Sequence, residues 1–448
     1  MKKLLDDAAA RATRYLENLG DRRVGASPDA VAALGELAGP MPEGPSDPQS
    51  VLAVLDQYGS PATVASAGGR YFGFVTGGSL PAALAANWLA SAWDQNAGLW
   101  VQSPAAAAFE DVAASWLRTI FGLPETCGVG FVTGATVANF TCLAAARHGI
   151  LRRAGWNVEE QGLFGAPEVN VVVGDEVHAS LLKALSLIGF GKARLARVPV
   201  DSQGRMKAEA LPPMNDRTLV CIQAGNVNTG AFDPAREICR RAHDAGAWVH
   251  VDGAFGLWAA AALKRAHLMD GVNQADSWAV DCHKWLNVPY DSGLALVCDP
   301  ESLRASMTLS GAYLQMSEKR DGFLYAPEAS RRGRGIEVWA ALKSLGRSGL
   351  AEMIERNCRL AERFAAGLRA AGFAVLNDVV LNQVMVSFGS AEKTQQVIAE
   401  VQREGTCWCG GTQWQGHTAM RISVSNWQTT EEDVDRSLEA MVRIAKAE

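Results

Sequence analysis

The chain has 448 residues, 48% of them apolar and 20% charged, with a formal net charge of −6; this is the profile of an ordinary globular protein with room for two or three domains. The acidic balance argues against a general role on nucleic acid or an anionic membrane, and no apolar run reaches the roughly 18 residues of a membrane span. Nine scattered cysteines fit free thiols in a reducing cytoplasm, and Met1-Lys2-Lys3-Leu4-Leu5-Asp6-Asp7 meets acid before any apolar core, so no signal peptide is expected.

Residues 1–60 read as helix, break, helix, with a Pro/Gly linker at 39–45 and a second helix over 48–58. Two such helices cannot bury their apolar faces alone, so they are expected to lie across the rest of the molecule or a partner subunit. The aromatic, glycine-rich stretch 68–78 reads as a loop that approaches something closely. Helices are predicted over 80–93 and 105–121, where Trp88, Trp93 and nearby Trp100 read as core packing. Residues 130–139 form a glycine turn that opens an amphipathic helix over 140–151. Such a turn presents free N–H groups and the positive end of a dipole, which suits a phosphate. Thr136 adds a hydroxyl there, or serves as a plain N-cap.

A strand over 169–173 is followed by His178, just ahead of a helix capped by Ser180. Another, over 219–223, ends in the Asn/Gly/Thr-rich turn 224–234, which reads as ligand-facing. Two more short apolar runs, 247–251 and 277–280, stop abruptly, the first at Asp252 and the second at Asp281-Cys282-His283-Lys284. Strand and helix thus alternate from about 130 to 300, the pattern of an α/β fold with a mostly parallel sheet covered on both faces. Residues 294–298 are expected to close the sheet. The polar, poorly periodic stretch 309–334 reads as a long mobile loop carrying Tyr313, and its Arg331, Arg332 and Arg334 read as a solvated or salt-bridged cluster. A helix from Glu337 then leads to a C-terminal α+β unit: a helix over 351–371, strands over 374–376 and 382–388, a helix over 391–404, a strand over 420–424 and a last helix from Thr430. The expected units are 1–60, 61–345 and 346–448. Cys407 and Cys409, with His417 nearby, lack the further ligands of a metal site, and no metal is expected.

In an open α/β sheet the ligand sits beyond the carboxyl ends of the strands, so His178, Asp252 and Lys284 are expected at one crevice. A carboxylate and an amine placed that way are the pair that pyridoxal phosphate requires. Lys284 supplies the amine that attaches the cofactor, and Asp252 keeps its pyridine nitrogen protonated. His178 stacks on the ring and meets the substrate carboxylate.

Asp175-x-x-His178-x-Ser180, His250-Val251-Asp252-x-Ala254-Phe255-Gly256 and His283-Lys284-Trp285-Leu286 together resemble the group II pyridoxal-phosphate decarboxylases, which include the aromatic-L-amino-acid and glutamate decarboxylases. The 32 residues from Asp252 to Lys284 match that family, and Arg70-Tyr71-Phe72, Trp100-x-x-Ser103-Pro104 and Tyr313-Leu314 extend the likeness over most of the chain. The resemblance implies a fold of the aspartate-aminotransferase type (fold type I), a homodimer with its site at the interface, and a small-molecule amino acid as substrate. It puts Ala135, Thr136 and His283 near the phosphate, with Ala254 and Asn226 also at the cofactor, and Phe74, Thr76, Asn96, Gly98 and Trp100 around the substrate. Tyr313 matches the tyrosine that returns a proton to Cα after CO2 leaves; a phenylalanine there accompanies aldehyde-forming chemistry. The expected reaction is therefore decarboxylation to an amine, with an aromatic substrate favoured. An acidic or diamino substrate (glutamate, 2,4-diaminobutyrate), aldol-type cleavage and transamination are the alternatives. The chain departs from the family pattern in four places. Val137 stands near the family's phosphate-turn serine, and Gly225-Asn226-Val227-Asn228 replaces a threonine-rich turn. Asp281 stands where asparagine is frequent, and Asn96 and Gly98 replace bulky apolar groups.

Overall fold

The computed structural model describes residues 1–309 and 318–447. Among them, the short apolar runs that end at polar groups form strands of one seven-stranded sheet, ordered β1-β7-β6-β5-β4-β2-β3. These are β1 (Gly128–Val132), β2 (Asn170–Gly174), β3 (Ala196–Val198), β4 (Thr218–Gln223), β5 (Trp248–Asp252), β6 (Ser277–Asp281) and β7 (Gly293–Val297). From β3 through β6 every neighbouring pair is parallel, while β7 lies antiparallel to both β6 and β1. The central strands β4 to β7 are buried along their whole length. That explains why they read as continuous apolar runs and not as alternating ones.

The apolar run over 294–298 does not close the sheet. It forms β7, which is inserted between β6 and β1, and β1 forms the edge. An apolar run buried on both faces carries no mark of its direction, so sequence alone left its place open. The short strand β3 was not anticipated.

The helix expected over 140–151 begins earlier and runs from Ala135 to Arg153. It is not amphipathic. Ala138, Asn139, Thr141, Cys142, Leu143, Ala145 and His148 are all buried, because it packs on β5, β6 and β7 beneath the helices Ala179–Leu187 and Pro300–Met307. The helix Ala179–Leu187 is capped by His178 and not by Ser180: the Ser180 N–H donates to His178 Nδ1 at 3.2 Å. That interaction already fixes the histidine's orientation at the end of β2.

The second sheet is antiparallel, in the order β10-β11-β9-β8. Its strands are β8 (Ala374–Val375), β9 (Gln383–Ser387), β10 (Gly410–Trp414, not anticipated) and β11 (His417–Ser423). It packs with the helix Ala391–Glu404 and shares a core with Val434, Met441 and Ile444 of the helix Glu431–Ala447. The helix Gly335–Ala370 touches the helices Pro81–Trp93 and Pro104–Phe121 as well as this layer, and it breaks at Gly346 (φ 60°, ψ −176°). Cys407 and Cys409 lie in the core of this layer.

The described part of 309–334 is largely buried. Arg320, Asp321, Arg331 and Arg334 are inside, and Gly322–Tyr325 forms a 3-10 turn. Arg331 pairs with Glu110, Arg332 with Glu337 and Arg334 with Asp291, so the arginines are salt-bridged and not solvated. At the N-terminus, Arg11 and Arg14 of the helix Lys2–Glu17 both reach Asp56 at 2.9 Å, while Leu5, Leu16, Leu37, Val51 and Leu55 stay exposed. No helix among the described residues is long and apolar enough to cross a membrane.

Candidate active site

Since β1, β2, β4, β5 and β6 run the same way, their carboxyl ends share one edge of the sheet. That edge receives the Gly134 turn, His178, Asn226, Asp252 and the Asp281–Lys284 turn. Three of the expected residues meet electrostatically there: His178 feels the charges of Asp252, Lys284, Asp281 and Arg421. Burial, opposed by Asp252 and aided by Lys284 and Arg421, holds the His178 imidazole below its ordinary pKa. Its Nδ1 accepts the Ser180 N–H, so the neutral ring carries its proton on Nε2.

Asp252 is 5% exposed. Its Oδ2 accepts from Asn139 Nδ2 at 3.3 Å and its Oδ1 from the Ala254 N–H at 3.3 Å. No cation among the described residues pairs with it. Behind it runs a chain of hydrogen bonds that sequence reasoning missed. Trp248 Nε1 donates to Ser277 Oγ (3.0 Å), which donates to His250 Nδ1 (2.9 Å). His250 Nε2 donates to Asn139 Oδ1 (2.8 Å), and Asn139 Nδ2 donates to Asp252. Asp252 can only accept, so Asn139 turns its amide N–H to it and its oxygen to the His250 Nε2–H; the neutral ring then accepts at Nδ1 from Ser277, and every link points towards Asp252. Burial pushes the His250 pKa down to about 3, which keeps the ring neutral, as this chain of bonds requires.

Lys284 Nζ lies 2.9 Å from Asp281 Oδ2. The other carboxylate oxygen of Asp281 accepts the Ala135 N–H at the start of the helix Ala135–Arg153. The amides of Thr136 and Val137 in that first turn make no hydrogen bond among the described residues. A Cβ on Gly134 would stand 3.2 Å from both Asp281 Oδ1 and the His283 ring, so the turn has room only for glycine without a shift. His283 Nδ1 donates to the Ser292 carbonyl at 3.0 Å, and its ring stacks on Tyr290 at 4.2 Å.

The stretch ahead of the helix Pro81–Trp93 forms one wall. Gly77 donates to the His283 carbonyl at 3.3 Å. Phe74, exposed and at φ 54°, leans on Trp408, which also stacks on Tyr71 at 5.2 Å. Arg421 of β11 enters from the small sheet, and burial lowers its pKa. Its Nη1 donates to Asn228 Oδ1 at 3.4 Å, and no carboxylate among the described residues pairs with it.

The remaining expected residues make their contacts elsewhere or fall outside the described part. Asn226 Oδ1 is used by the amides of Asn228 and Thr229 in its own turn. Contacts of Asn96, Gly98 and Trp100 lead to Arg331, Ala329 and Asp321 and not to Lys284. Tyr313 lies outside the described residues.

These residues fit pyridoxal phosphate. The helix start offers two open amides to a phosphate, Lys284 offers an amine, and Asp252 is a buried carboxylate held by neutral donors and lacking a cation. A family model described as the pyridoxal-dependent decarboxylase conserved domain matches residues 60–389. The aromatic-L-amino-acid decarboxylase of Bacillus atrophaeus is 26% identical, over 96% of this chain and 92% of that one. The aromatic-L-amino-acid decarboxylase of Bos taurus is 27% identical over 86% and 83%. In fold, the crystal structure of Oryza sativa TDC with PLP and tryptamine superposes with a TM-score of 0.91 over 100% of this chain and 97% of that one, at 23% identity. The chain belongs to the pyridoxal-dependent decarboxylase family, as a fold type I enzyme with pyridoxal phosphate as its cofactor.

Proposed function

We propose that the enzyme removes CO2 from an aromatic L-amino acid to give the amine. The observation that carries this reading is the gathering of the charges of Asp252, Lys284 and Arg421 around His178 at the carboxyl edge of the large sheet, with the aromatic groups Tyr71, Phe74, Trp408 and Tyr290. Pyridoxal phosphate, when bound, supplies the electron sink for the bond broken at Cα. Lys284 anchors it, Asp252 holds the proton of its ring nitrogen, and the first turn of the helix Ala135–Arg153 takes its phosphate. Arg421, a partly buried cation whose charge reaches His178, receives the substrate carboxylate, and the Nε2–H of His178 donates to the same group. Tyr313 returns a proton to Cα. The aromatic wall accepts a flat apolar side chain.

A homodimer in the reducing cytoplasm is part of the same proposal. Apolar residues left exposed on the N-terminal helices favour a partner surface, and all nine cysteines are free thiols.

A panel of amino acids scored for CO2 and amine tests the substrate. Tryptophan, tyrosine and 3,4-dihydroxyphenylalanine are expected to exceed glutamate and aspartate in kcat/KM by about a hundredfold, the value of a few kcal/mol of differential pocket contact. Arg421 also supports a second reading, in which it takes the side-chain carboxylate of an acidic substrate; the reverse order of rates would establish that reading. Tyr313→Phe is expected to suppress amine formation while cofactor binding persists. An unchanged amine yield would remove Tyr313 from the reaction.

A further inference from the structure

Asp281 stands where two things the cofactor needs come together. Its side chain is 3% exposed and touches both the Lys284 ammonium and the Ala135 amide. The helix begun by Ala135 has three first-turn amides facing outward. Two of them, on Thr136 and Val137, are open among the described residues, and the third is taken by this carboxylate. Helix N-termini attract phosphate and carboxylate for the same reasons, free N–H donors and a positive dipole end.

The other groups around Asp281 do little to neutralise it. His283 Nδ1 is 3.6 Å from Oδ1, but it spends its proton on the Ser292 carbonyl. Trp258 Nε1 donates to the Asp281 main-chain carbonyl, not to the carboxylate. Asp291, nearby on the same loop, is paired with Arg334. The countercharge of Asp281 is therefore Lys284, the residue that loses its ammonium when the cofactor attaches. A phosphate arriving at the helix start then meets a carboxylate whose countercharge has turned to the cofactor and which already holds one of the three donors.

We infer that Asp281 is an internal counter-anion which the cofactor's phosphate displaces on loading, so that cofactor affinity is set by competition between a carboxylate and a phosphate. The inference rests on the proposed assignment of Lys284 and the Ala135–Arg153 helix start as the cofactor's two anchors. Asp281→Asn keeps an oxygen that can accept the Ala135 N–H and removes the negative charge, so it relieves the competition.

The test is reconstitution of apoenzyme, followed by tryptophan fluorescence and cofactor absorbance, with pyridoxal phosphate, pyridoxal and inorganic phosphate as probes. Asp281→Asn is expected to bind pyridoxal phosphate about tenfold or more tightly than wild type, because a like charge has been removed from a low-dielectric site. Pyridoxal, which has no phosphate, is expected to change by about threefold or less. Inorganic phosphate is expected to inhibit pyridoxal phosphate uptake at lower concentration in the variant than in wild type. Asp281→Ser is measured in parallel, with circular dichroism to confirm folding, and carries the same expectation. Pyridoxal phosphate bound no more tightly by either folded variant would overturn the inference. So would an equal gain for pyridoxal, which would put the whole effect at Lys284. Borohydride reduction and peptide mapping of wild-type holoenzyme test the anchor separately: a label on a lysine other than Lys284 sinks the site assignment whatever Asp281 does.

Discussion

Two buried carboxylates, Glu110 and Asp252, are treated in opposite ways by the same fold. Glu110 on the helix Pro104–Phe121 is 1% exposed and receives Arg320 at 2.9 Å and Arg331 at 2.8 Å. Arg320 also donates to the Val129 carbonyl and lies over the Tyr325 ring at 4.4 Å, and Arg331 donates to the Phe131 carbonyl at 3.3 Å. Asp252, nearly as buried, has two neutral donors among the described residues, each at 3.3 Å. Removing a carboxylate from water costs several kcal/mol unless charge and hydrogen bonds replace it. Glu110 has that replacement within the chain, so its role is complete in the folded protein. Asp252 has no cation among the described residues, and a protonated pyridine nitrogen supplies one. A buried charge without a countercharge, at the end of a strand, marks a binding site; one with two countercharges marks a structural joint.

The largest effect is expected at that joint. Glu110→Gln removes the anion shared by two buried guanidiniums, leaving Arg320 only the half-exposed Asp111 at 3.9 Å, and should cost about 3–5 kcal/mol of stability, read as a lower urea midpoint. The two arginines outweigh burial and hold the Glu110 carboxyl below its ordinary pKa. Its contribution is therefore fully present above the unfolded-state value near 4 and disappears as pH falls through the depressed folded value. The gap between wild type and variant should accordingly narrow in acid. A variant of normal stability that no longer holds cofactor would invert the comparison.

The two carboxylates were not equally legible in the sequence. Asp252, Lys284 and His178 each follow a short apolar run, so the strand-end rule brings them together with no long-range information. Glu110 gave no such signal, since its arginines lie 210 and 221 residues away. Arg421 comes from a different sheet, and the Asp281–Ala135 contact spans 146 residues. In the sequence Asp281 stands out as the stop of an apolar run and as a departure from a frequent asparagine, and neither points to Ala135. Asn139 and His250 did leave a trace: a polar residue within an otherwise apolar helix or strand, buried on all sides, requires partners. The antiparallel direction of β7 left none.

Next in size is Asp252→Asn. An amide cannot hold a proton on the ring nitrogen by charge, so kcat/KM is expected to fall about 10²–10³-fold, roughly 3–4 kcal/mol of transition-state stabilisation. The fold should keep its urea midpoint, because no buried cation loses a partner. The pair of variants thus separates the two carboxylates: Glu110→Gln moves stability and spares the chemistry, and Asp252→Asn does the reverse. Loss of stability in Asp252→Asn as large as in Glu110→Gln would mean that Asp252 is structural as well.

The smallest effect tests why Asp252 stays an acceptor. Asn139→Leu keeps the approximate volume and cuts the line of donors running from Trp248 through Ser277 and His250. Asp252 then loses one of two hydrogen bonds and His250 loses its acceptor, a change worth about 1–3 kcal/mol. If the line serves only packing, the variant should bind pyridoxal phosphate and a carbocyclic analogue lacking the ring nitrogen equally poorly. If it orients Asp252 towards that nitrogen, affinity for pyridoxal phosphate should drop by about tenfold while the analogue binds almost as well as before. The second outcome is expected, because every bond in the line donates towards Asp252 and the burial-depressed pKa of His250 keeps the ring neutral and the direction unchanged across the working range of pH. Equal losses for the two ligands would reduce the line to a packing device and leave Asp252 oriented by the Ala254 amide alone.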